Sequence, residues 1–336
     1  MKTCLVTGGL GYIGSHISIE LLSTNYNLII IDNLSNSKLE KLDKIKKFNI
    51  FKNTINFYNF DLVNYNELTN CIKKIYFEDN LSIDIIIHLA GYKAVGESIE
   101  KPILYYENNL ISTLNLLKIM EIYEIKNFIF SSSSTVYGGG TTVPYTEKSP
   151  TGLGITNPYG RSKFIQEEIL KDIMVSKPDW NIILLRYFNP VGHLNNDFKE
   201  EPNGIPNNLF PYLLKVHRGE LNELTIFGSN YGTRDGTCSR DFIHVVDLGN
   251  AHAICCESLI KRNITGLKIY NVGTGTDTTV LELIKAFETV NNKKIQYKFG
   301  SRRSGDLEKS YCDVDLIFKE LGWIAKYTIE DCVKIE

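Results

Sequence analysis

The stretch TCLVTGGLGYIGSHISIELL at residues 3–22 constrains the fold more than any other part of the chain. A short apolar run leads into a turn that contains Gly8, Gly11 and Gly14, and a helical pattern follows directly. Glycines at this spacing permit a tight turn and let the backbone approach a pyrophosphate at the helix N-terminus. The stretch therefore predicts the opening strand, turn and helix of a dinucleotide-binding domain.

Strand and helix patterns then alternate through the first two-thirds of the chain. Short runs rich in Ile, Val, Leu or Phe predict six buried strands at residues 3–8, 28–32, 55–61, 84–91, 127–133 and 181–188. Such alternation predicts an α/β fold, with a doubly wound parallel-sheet Rossmann domain at residues 1–190. We expect residues 191–336 to form a smaller mixed α/β domain for the substrate, with segments such as 245–260 packing back on the first domain.

The composition excludes several partners and compartments. The formal net charge of -2 gives no sign of binding to nucleic acid or to an anionic membrane. Seven cysteines without a Cys-x-x-Cys pair predict free thiols in a reducing, cytoplasmic setting, with no disulfide framework and no metal site. No apolar stretch approaches membrane-spanning length, and the two residues before the first predicted strand leave no room for a signal peptide.

Acidic residues at the ends of two predicted strands fit the adenosine half of a dinucleotide. Asp32 lies eighteen residues after Gly14, where a carboxylate accepts hydrogen bonds from the ribose hydroxyls and repels a 2′-phosphate. Asp61 ends the third strand, within reach of an adenine amino group. The small-residue turn HLAGYKAVGES leaves room for the cofactor and carries Lys93. Lys93 fits a contact with the cofactor, and the alternative is that it is only a solvated cation on a loop. These positions favour NAD over NADP.

The heptapeptide NPYGRSK at residues 157–163 has the form of a helix start. Asn157 can cap free backbone N–H groups, and Pro158 suits the first helical position because it has no N–H. Tyr159 and Lys163 then lie one turn apart on the same face. By itself the segment is typical of a solvated helix start, but the hydroxyl-rich stretch FSSSSTVYG at 130–138 gives it a chemical partner.

The glycine turn, the Ser-rich strand end and the Tyr–Lys helix together resemble the extended short-chain dehydrogenase/reductase family, whose catalytic members use Ser or Thr, Tyr and Lys. Within that family the chain is similar to the UDP-sugar 4-epimerases. The motifs that carry this resemblance occur in order along nearly the whole chain: VTGGLGYIGSH, IDN, HLAGYKAVGES, FSSSSTVYG, NPYGRSKF, LLRYFNPVG, GIPNNLFPY, RDFIHVVDL, YNVGTG and RRSGD. The resemblance implies NAD as cofactor, a UDP-sugar as substrate and a homodimer.

The same resemblance implies a catalytic role for three residues. Tyr159 would remove the proton from the sugar 4-hydroxyl, and Ser133 would hydrogen-bond the same oxygen. A free tyrosine has a pKa of about 10, so it is a poor base at neutral pH. We expect Lys163 and the positive nicotinamide to favour the phenolate and lower that pKa, and Lys163 also to hold the nicotinamide ribose.

The resemblance also assigns two sets of binding residues. The set for NAD comprises Gly8, Gly11, Tyr12, Ile13, Gly14, Asp32, Asn33, Asn36, Asp61, Leu62, Leu89, Lys93, Tyr159, Lys163 and Tyr187. The set for the UDP-sugar comprises Ser133, Ser134, Thr135, Tyr159, Asn189, Asn208, Leu209, Thr225, Phe227, Arg240, Arg303, Asp306 and Ser310. For Arg240 the alternative is an ion pair with its neighbour Asp241, and for Asn189 a turn before Pro190.

Two positions refine the expected reaction. Dehydratases and decarboxylases of the superfamily carry an acid just before Val-Tyr-Gly, but Ser134 and Thr135 stand there, so simple redox at carbon 4 fits better. Ser310 matches a position that walls the sugar pocket, where a small side chain admits 2-N-acetyl sugars. Tyr311, which follows it, could fill the same space.

Other readings stay open. An enzyme of the same kind could act on UDP-pentoses or UDP-hexuronates, although the hexuronate version needs a further cation that the sequence does not identify. A dinucleotide-binding sensor without turnover is the alternative from another class, and the complete Ser133, Tyr159 and Lys163 set argues against it. The helical stretches 110–123 and 164–173 match those through which family members form dimers.

Overall fold

The computed structural model describes residues 2–139, 142–199, 206, 208–303 and 305–335. Its strands are β1 Thr3–Thr7, β2 Asn27–Ile31, β3 Ile55–Tyr58, β4 Ile85–His88, β5 Asn127–Ser133, β6 Asn181–Tyr187, β7 Asn189–Val191, β8 Leu224–Phe227, β9 Ser239–Arg240, β10 Phe242–His244, β11 Gly266–Val272, β12 Thr278–Thr279, β13 Tyr297–Gly300 and β14 Lys309–Ser310. Its helices are α1 Tyr12–Ser23, α2 Glu40–Lys46, α3 Tyr65–Phe77, α4 Val95–Glu100, α5 Pro102–Ile122, α6 Pro158–Ser176, α7 Leu209–His217, α8 Val245–Ile260, α9 Val280–Asn291, α10 Asp315–Leu321 and α11 Ile329–Val333.

A seven-stranded parallel sheet forms the centre of the molecule. Its strand order is β11-β6-β5-β4-β1-β2-β3, and all six strands predicted from the apolar runs belong to it. The chain reverses its direction of travel across the sheet between β1 and β4, where connections leave to opposite sides. Ligands of doubly wound folds bind at the carboxyl ends of strands at such a point. The predicted fold class is confirmed.

The two faces of this sheet bury separate apolar layers. Successive strand residues point to opposite faces, so Val6 and Ile87 join a layer with helices α1 and α8. Leu5 and Ile86 instead join a layer with α3, α5 and α6. Burial on both faces explains why these strands are continuous apolar runs rather than alternating patterns.

Strand β11 is the one member of the sheet that the sequence patterns did not predict. It pairs with β6 at the sheet edge, and its first four residues are only half-buried. An edge position explains the weak apolar signal, because Lys268 lies within the strand and reaches Glu320 at 2.7 Å. Helix α8 packs against α1, as expected for the segment 245–260. Strand β11 and helix α8 both follow residue 190, yet they pack with the main sheet and its helices. The division of the chain into two domains at that residue stays a prediction.

Short strands and helices after β6 cover the carboxyl edge of the main sheet. β7 pairs with β10, β9 pairs with β12 and β14, and β8 pairs with β13. A third apolar core, which includes Phe210, Leu213, Ile226 and Phe287, holds this part together. None of the helices in the described ranges has the length and apolar character needed to cross a bilayer.

Candidate active site

The turn between β1 and α1 requires glycine at both of its ends. Gly8 has a φ of +68°, in the left-handed region that L side chains rarely adopt. A Cβ on Gly14 would lie 2.1 Å from the Gly8 carbonyl oxygen, so no side chain fits there. Gly11 is the N-cap of α1 and offers no side chain to bond the first N–H groups. The helix therefore presents free backbone donors, which suits a phosphate group.

Asp32 stands at the end of β2 and braces this turn. Its Oδ2 accepts a hydrogen bond from the Leu10 N–H at 3.0 Å, and its Oδ1 accepts from the Leu34 N–H at 2.9 Å and the Ser37 hydroxyl at 2.8 Å. The carboxylate is 8% exposed and still lines the adjacent cavity. It is held in one orientation by the loop it faces, ready to accept further donors.

A cavity of about 720 Å³ opens at the carboxyl edge of the sheet. Every residue predicted to contact the dinucleotide lines it, from the glycine turn to helix α6. These residues are Gly8, Gly11, Tyr12, Ile13, Gly14, Asp32, Asn33, Asn36, Asp61, Leu62, Leu89, Lys93, Tyr159, Lys163 and Tyr187. Asn33 and Asp61 also contact each other, since the Asn33 amide donates to Asp61 Oδ2 at 3.0 Å. The cavity has the size and polar lining expected for a cofactor.

Helix α6 begins where the sequence predicted. The Asn157 side chain caps it by accepting a hydrogen bond from the Gly160 N–H at 2.8 Å, and Pro158 occupies the first helical position. The cap fixes the first turn, so Tyr159 and Lys163 both project into the cavity from one face. The predicted helix start is confirmed.

The pKa of Tyr159 responds to burial and to two neighbouring groups. Burial raises this pKa, while the Ser133 side chain and the charge of Lys93 act to lower it. Lys93, on the loop after β4, is thus a further cation that favours the phenolate. The part that the sequence interpretation gave to Lys163 and the nicotinamide stays a prediction.

Lys163 is held by the end of β5. Its ammonium donates to the Ser131 carbonyl oxygen at 2.6 Å and lies 4.7 Å from the centre of the Phe130 ring. Burial lowers the pKa of Lys163 to about 7, against the opposing charge of Glu167 one turn further along the helix. Lys163 can therefore lose or hold its proton near neutral pH.

Tyr187 is the last residue of β6 and lines the cavity. Its hydroxyl lies 2.6 Å from His252 Nε2, and the nearby Ser131 side chain acts to lower its pKa. Burial raises the pKa of the Tyr187 phenol, so it stays neutral. Ser131 was missed by the sequence interpretation. Its place two residues before Ser133, on the same face of a strand, is the signal that could have found it.

Ser134 and Thr135 continue from β5 into a short 3₁₀ helix that spans Ser134–Tyr137. Thr135 packs beside the first turn of α6, because a Cβ on Gly160 would lie 3.1 Å from Thr135 Cβ. The Thr135 hydroxyl is buried and has no hydrogen-bond partner among the described residues. Thr135 thus borders the first turn of α6, which carries Tyr159.

Three of the residues predicted for the substrate meet around Arg240. Its guanidinium donates to the Leu307 carbonyl oxygen at 2.8 Å and lies 3.7 Å from Asp306 Oδ1. Ser310 is its direct neighbour across the β9–β14 pairing. Asp241 takes no part in this ion pair, because its carboxylate is buried on the other side of the strand against Thr274. The alternative of an Arg240–Asp241 pair is therefore wrong.

A second group brings together other predicted substrate residues. The Arg303 guanidinium lies 3.8 Å from the centre of the Phe227 ring, an arrangement typical of a cation–π contact. Thr225 belongs to the same strand, β8. Asn208 caps α7 without a side-chain hydrogen bond and lines the main cavity, and Leu209 is the first residue of that helix. Asn189 begins β7 and donates its N–H to the Asp241 carbonyl oxygen at 2.9 Å.

Residues 5–335 match the family model described as GDP-mannose 4,6 dehydratase. The chain belongs to this extended short-chain dehydrogenase/reductase family. A Bacillus subtilis protein named UDP-glucose 4-epimerase is 46% identical over 97% of this chain and 93% of its own. A Pisum sativum protein named bifunctional UDP-glucose 4-epimerase and UDP-xylose 4-epimerase 1 is 44% identical over 97% of this chain and 92% of its own.

A solved structure is similar over the same extent. The UDP-glucose 4-epimerase from Bifidobacterium longum, in complex with NAD+ and UDP, has a TM-score of 0.90 and 46% identity, and the match covers 99% of this chain and 96% of that one. The similarity therefore includes the main sheet and the strands that cover its edge.

In this member of the extended short-chain dehydrogenase/reductase family, a buried ion pair joins helix α6 to strand β6. Glu167 of α6 pairs with Arg186 of β6 at 2.7 Å, and both side chains are almost completely buried. Ser132, next to Ser133, donates a hydrogen bond to the same carboxylate. Cavity residues such as Ser35, Lys41, Phe60 and Tyr105 were not predicted, because no motif marks them. Within the described ranges, no cluster of His, Cys, Asp or Glu could hold a metal ion.

Proposed function

We propose that this protein is an NAD-dependent UDP-glucose 4-epimerase, which interconverts UDP-glucose and UDP-galactose and serves galactose metabolism. The observation that carries the proposal is the placement of Tyr159 and Lys163 one turn apart in a cavity lined by the predicted dinucleotide residues, with Ser133 near enough to act on the Tyr159 phenol. The names of the relatives at 46% identity support it. A sensor without turnover would have no need of this complete set.

The residues divide the chemistry between them. Tyr159 accepts the proton of the sugar 4-hydroxyl, and Ser133 donates a hydrogen bond to the oxygen as it becomes a ketone. The cavity residues from the glycine turn to Lys163 would hold NAD, which would supply hydride transfer at carbon 4 and a positive charge that favours the phenolate. Tyr159 returns its proton as the second hydroxyl forms, so the protein regains its starting state.

The UDP must stay bound in one position while the 4-keto sugar rotates within the site. We assign Arg240 and Arg303 to the pyrophosphate, because guanidinium groups donate paired hydrogen bonds to phosphate oxygens. Asp306 and Phe227 hold these two side chains at 3.7 Å and 3.8 Å respectively, in place before the ligand arrives. Pre-oriented groups lower the entropic cost of binding.

A direct assay tests this proposal. The purified protein receives UDP-galactose without added NAD, and UDP-glucose is measured with a coupled dehydrogenase. We expect product at a rate that added NAD does not change, since the cofactor is regenerated and stays bound. If protein that carries NAD forms no UDP-glucose, the proposal is refuted and the alternative of a dinucleotide-binding sensor without turnover remains.

We also propose that UDP-GlcNAc and UDP-GalNAc are substrates. Ser310 is small and lies beside Arg240 across the β9–β14 pairing, where a large side chain would restrict the sugar pocket. Ser310→Tyr should then abolish turnover of the N-acetyl sugars and keep turnover of UDP-galactose. If the wild-type protein turns over UDP-galactose but not UDP-GalNAc at saturation, this part of the proposal fails.

UDP-pentoses are a second candidate substrate class. The name of the Pisum sativum relative, which includes UDP-xylose, favours it. A pentose lacks the group on carbon 5 of the hexose and makes smaller demands on the pocket. Comparison of kcat/KM for UDP-galactose and UDP-xylose on the same protein decides whether pentoses are a physiological substrate or a slow alternative.

We further propose a cytoplasmic homodimer formed through α5 and α6. These helices pack against each other and expose Ile103, Leu104 and Leu114 of α5 and Val175 of α6. Exposed apolar side chains on adjacent helices suit burial against a second copy. Light scattering after size exclusion should give twice the mass of the chain, and Ile103→Glu should reduce it.

A further inference from the structure

We propose that Asp241 is a positioning residue that holds three nucleotide-sugar contacts in register with the main sheet. It does not touch the cavity itself, and its side chain is fully buried. The inference rests on the proposed nucleotide-sugar site, and it adds a residue that acts on that site through its neighbours.

The Asp241 carboxylate is the acceptor for one tight loop. Its Oδ1 accepts from the N–H and the hydroxyl of Thr274, both at 2.8 Å, and its Oδ2 accepts from the Gly275 N–H at 2.9 Å. The Cys312 thiol also points to Oδ2, at 3.4 Å. These donors partly offset the burial that raises the pKa of Asp241. The loop follows directly from β11, the edge strand of the main sheet.

Glycine is required where this loop passes the carboxylate. A Cβ on Gly273 would lie 2.6 Å from Asp241 Oδ2 and 2.6 Å from Cys312 Sγ. Real Cβ atoms essentially never approach so closely, so the loop and the carboxylate fit together only with glycine at this position. The close fit indicates a fixed geometry rather than a loose surface contact.

The backbone of Asp241 reaches the proposed substrate positions. Its carbonyl oxygen accepts from the Asn189 N–H at 2.9 Å, and its own N–H donates to the Ser310 carbonyl oxygen at 3.0 Å. Arg240 precedes it in the chain. One residue thus joins the strands that carry Asn189, Arg240 and Ser310, while its side chain ties them to the end of β11. A shift of the carboxylate would move all three positions together.

Asp241→Asn is the decisive substitution, because an amide keeps the size but turns one acceptor into a donor. The new N–H₂ group would face the donors Thr274 or Gly275, which leaves buried groups unpaired. We expect the Kd for UDP to rise about tenfold to a hundredfold, as such unpaired groups imply. We expect the amount of bound NAD to stay at the wild-type level, because none of the described residues that Asp241 contacts lines the cavity.

A matched control separates positioning from loss of stability. Asp247 is also a buried carboxylate, and its Oδ2 accepts from the N–H groups of Lys326 and Tyr327, both at 2.9 Å. Within the part of the chain that the structure describes, its hydrogen-bond partners include no proposed substrate residue. Asp247→Asn should therefore lower the melting temperature as Asp241→Asn does, without changing the Kd for UDP.

The experiment measures UDP binding to NAD-loaded protein by calorimetry, with the melting temperature recorded for each variant. Weaker UDP binding in Asp241→Asn alone supports the proposal, and equal Kd values in the wild type and both variants overturn it. If Asp241→Asn does not fold, Thr274→Val removes one donor and should raise the Kd for UDP several-fold; an unchanged Kd there overturns the proposal as well. If wild-type protein fails to bind UDP, it is the proposed function that fails.

Discussion

Tyr159 and Ser133 lie on different elements, and the Ser133 side chain is near enough to the Tyr159 phenol to lower its pKa. Ser133 ends β5 and Tyr159 lies in the first turn of α6, so the pair depends on how the strand and the helix pack. The relationship fixes the phenol beside the hydroxyl that would share the substrate oxygen. It gives the proposed proton transfer a defined starting geometry.

Removal of the Tyr159 hydroxyl should affect chemistry and spare binding. We expect Tyr159→Phe to reduce kcat by about 10²–10⁴-fold, the usual contribution of a general base. The Kd for UDP should stay within about twofold, because the partner proposed for this phenol is the sugar 4-hydroxyl and not the UDP. Tyr76→Phe on α3, away from the cavity, is the control. Normal kcat in Tyr159→Phe would show that another group is the base.

The buried charge of Lys163 should lower the free energy of unfolding at neutral pH. Its pKa is lowered to about 7 in the folded state by burial, whereas an unfolded lysine titrates near 10.4. The folded state therefore carries the full cost of a buried charge below pH 7. As the pH rises toward 10.4, the unfolded state binds more protons than the folded state, and the wild type gains relative stability.

Lys163→Met should thus raise the free energy of unfolding by about 1–3 kcal/mol at pH 6, and by less at pH 9. Urea unfolding at the two pH values measures the difference. Lys171→Met is the control for the effect of replacing a lysine by methionine on this helix. Lys171 pairs with Glu168 on the same helix. A gain that is the same at both pH values would contradict the lowered pKa of Lys163.

Loss of the buried Glu167–Arg186 pair should lower the free energy of unfolding far more than loss of a surface ion pair. Glu167→Gln leaves the buried Arg186 charge without its carboxylate, and we expect a loss of about 3–5 kcal/mol in the free energy of unfolding. The exposed pair of Glu121 and Lys177 offers a control. Glu121→Gln should cost less than about 1 kcal/mol. Similar losses in the two variants would show that the buried pair has no special role.

The glycine turn should tolerate no side chain at Gly14. A Cβ there would lie 2.1 Å from the Gly8 carbonyl oxygen, so Gly14→Ala must distort the turn that faces the predicted pyrophosphate. We expect purified Gly14→Ala protein to carry little NAD, measured by absorbance after denaturation. Gly232→Ala is the control, because Gly232 lies outside the cavity and its added Cβ would meet only the Glu308 side chain; its NAD content should match the wild type.

The fold could be predicted from the sequence because its strands are buried on both faces and appear as continuous apolar runs. The edge strand β11 could not, since half-buried residues such as Lys268 interrupt its pattern. The start of α6 was readable from Asn157 and Pro158, whose effect is local. The partner of Arg240 was not, because Asp306 comes from a distant segment, and neither was the action of Lys93 on Tyr159.

The proposed reaction returns the same hydride to carbon 4 of the sugar, and turnover in D₂O tests this most directly. The protein receives UDP-galactose in D₂O, and the product is examined by mass spectrometry and NMR. The account predicts UDP-glucose without deuterium on any ring carbon, because only the 4-hydroxyl proton passes through Tyr159. Deuterium at carbon 4, or at the neighbouring carbons 3 and 5, would contradict it.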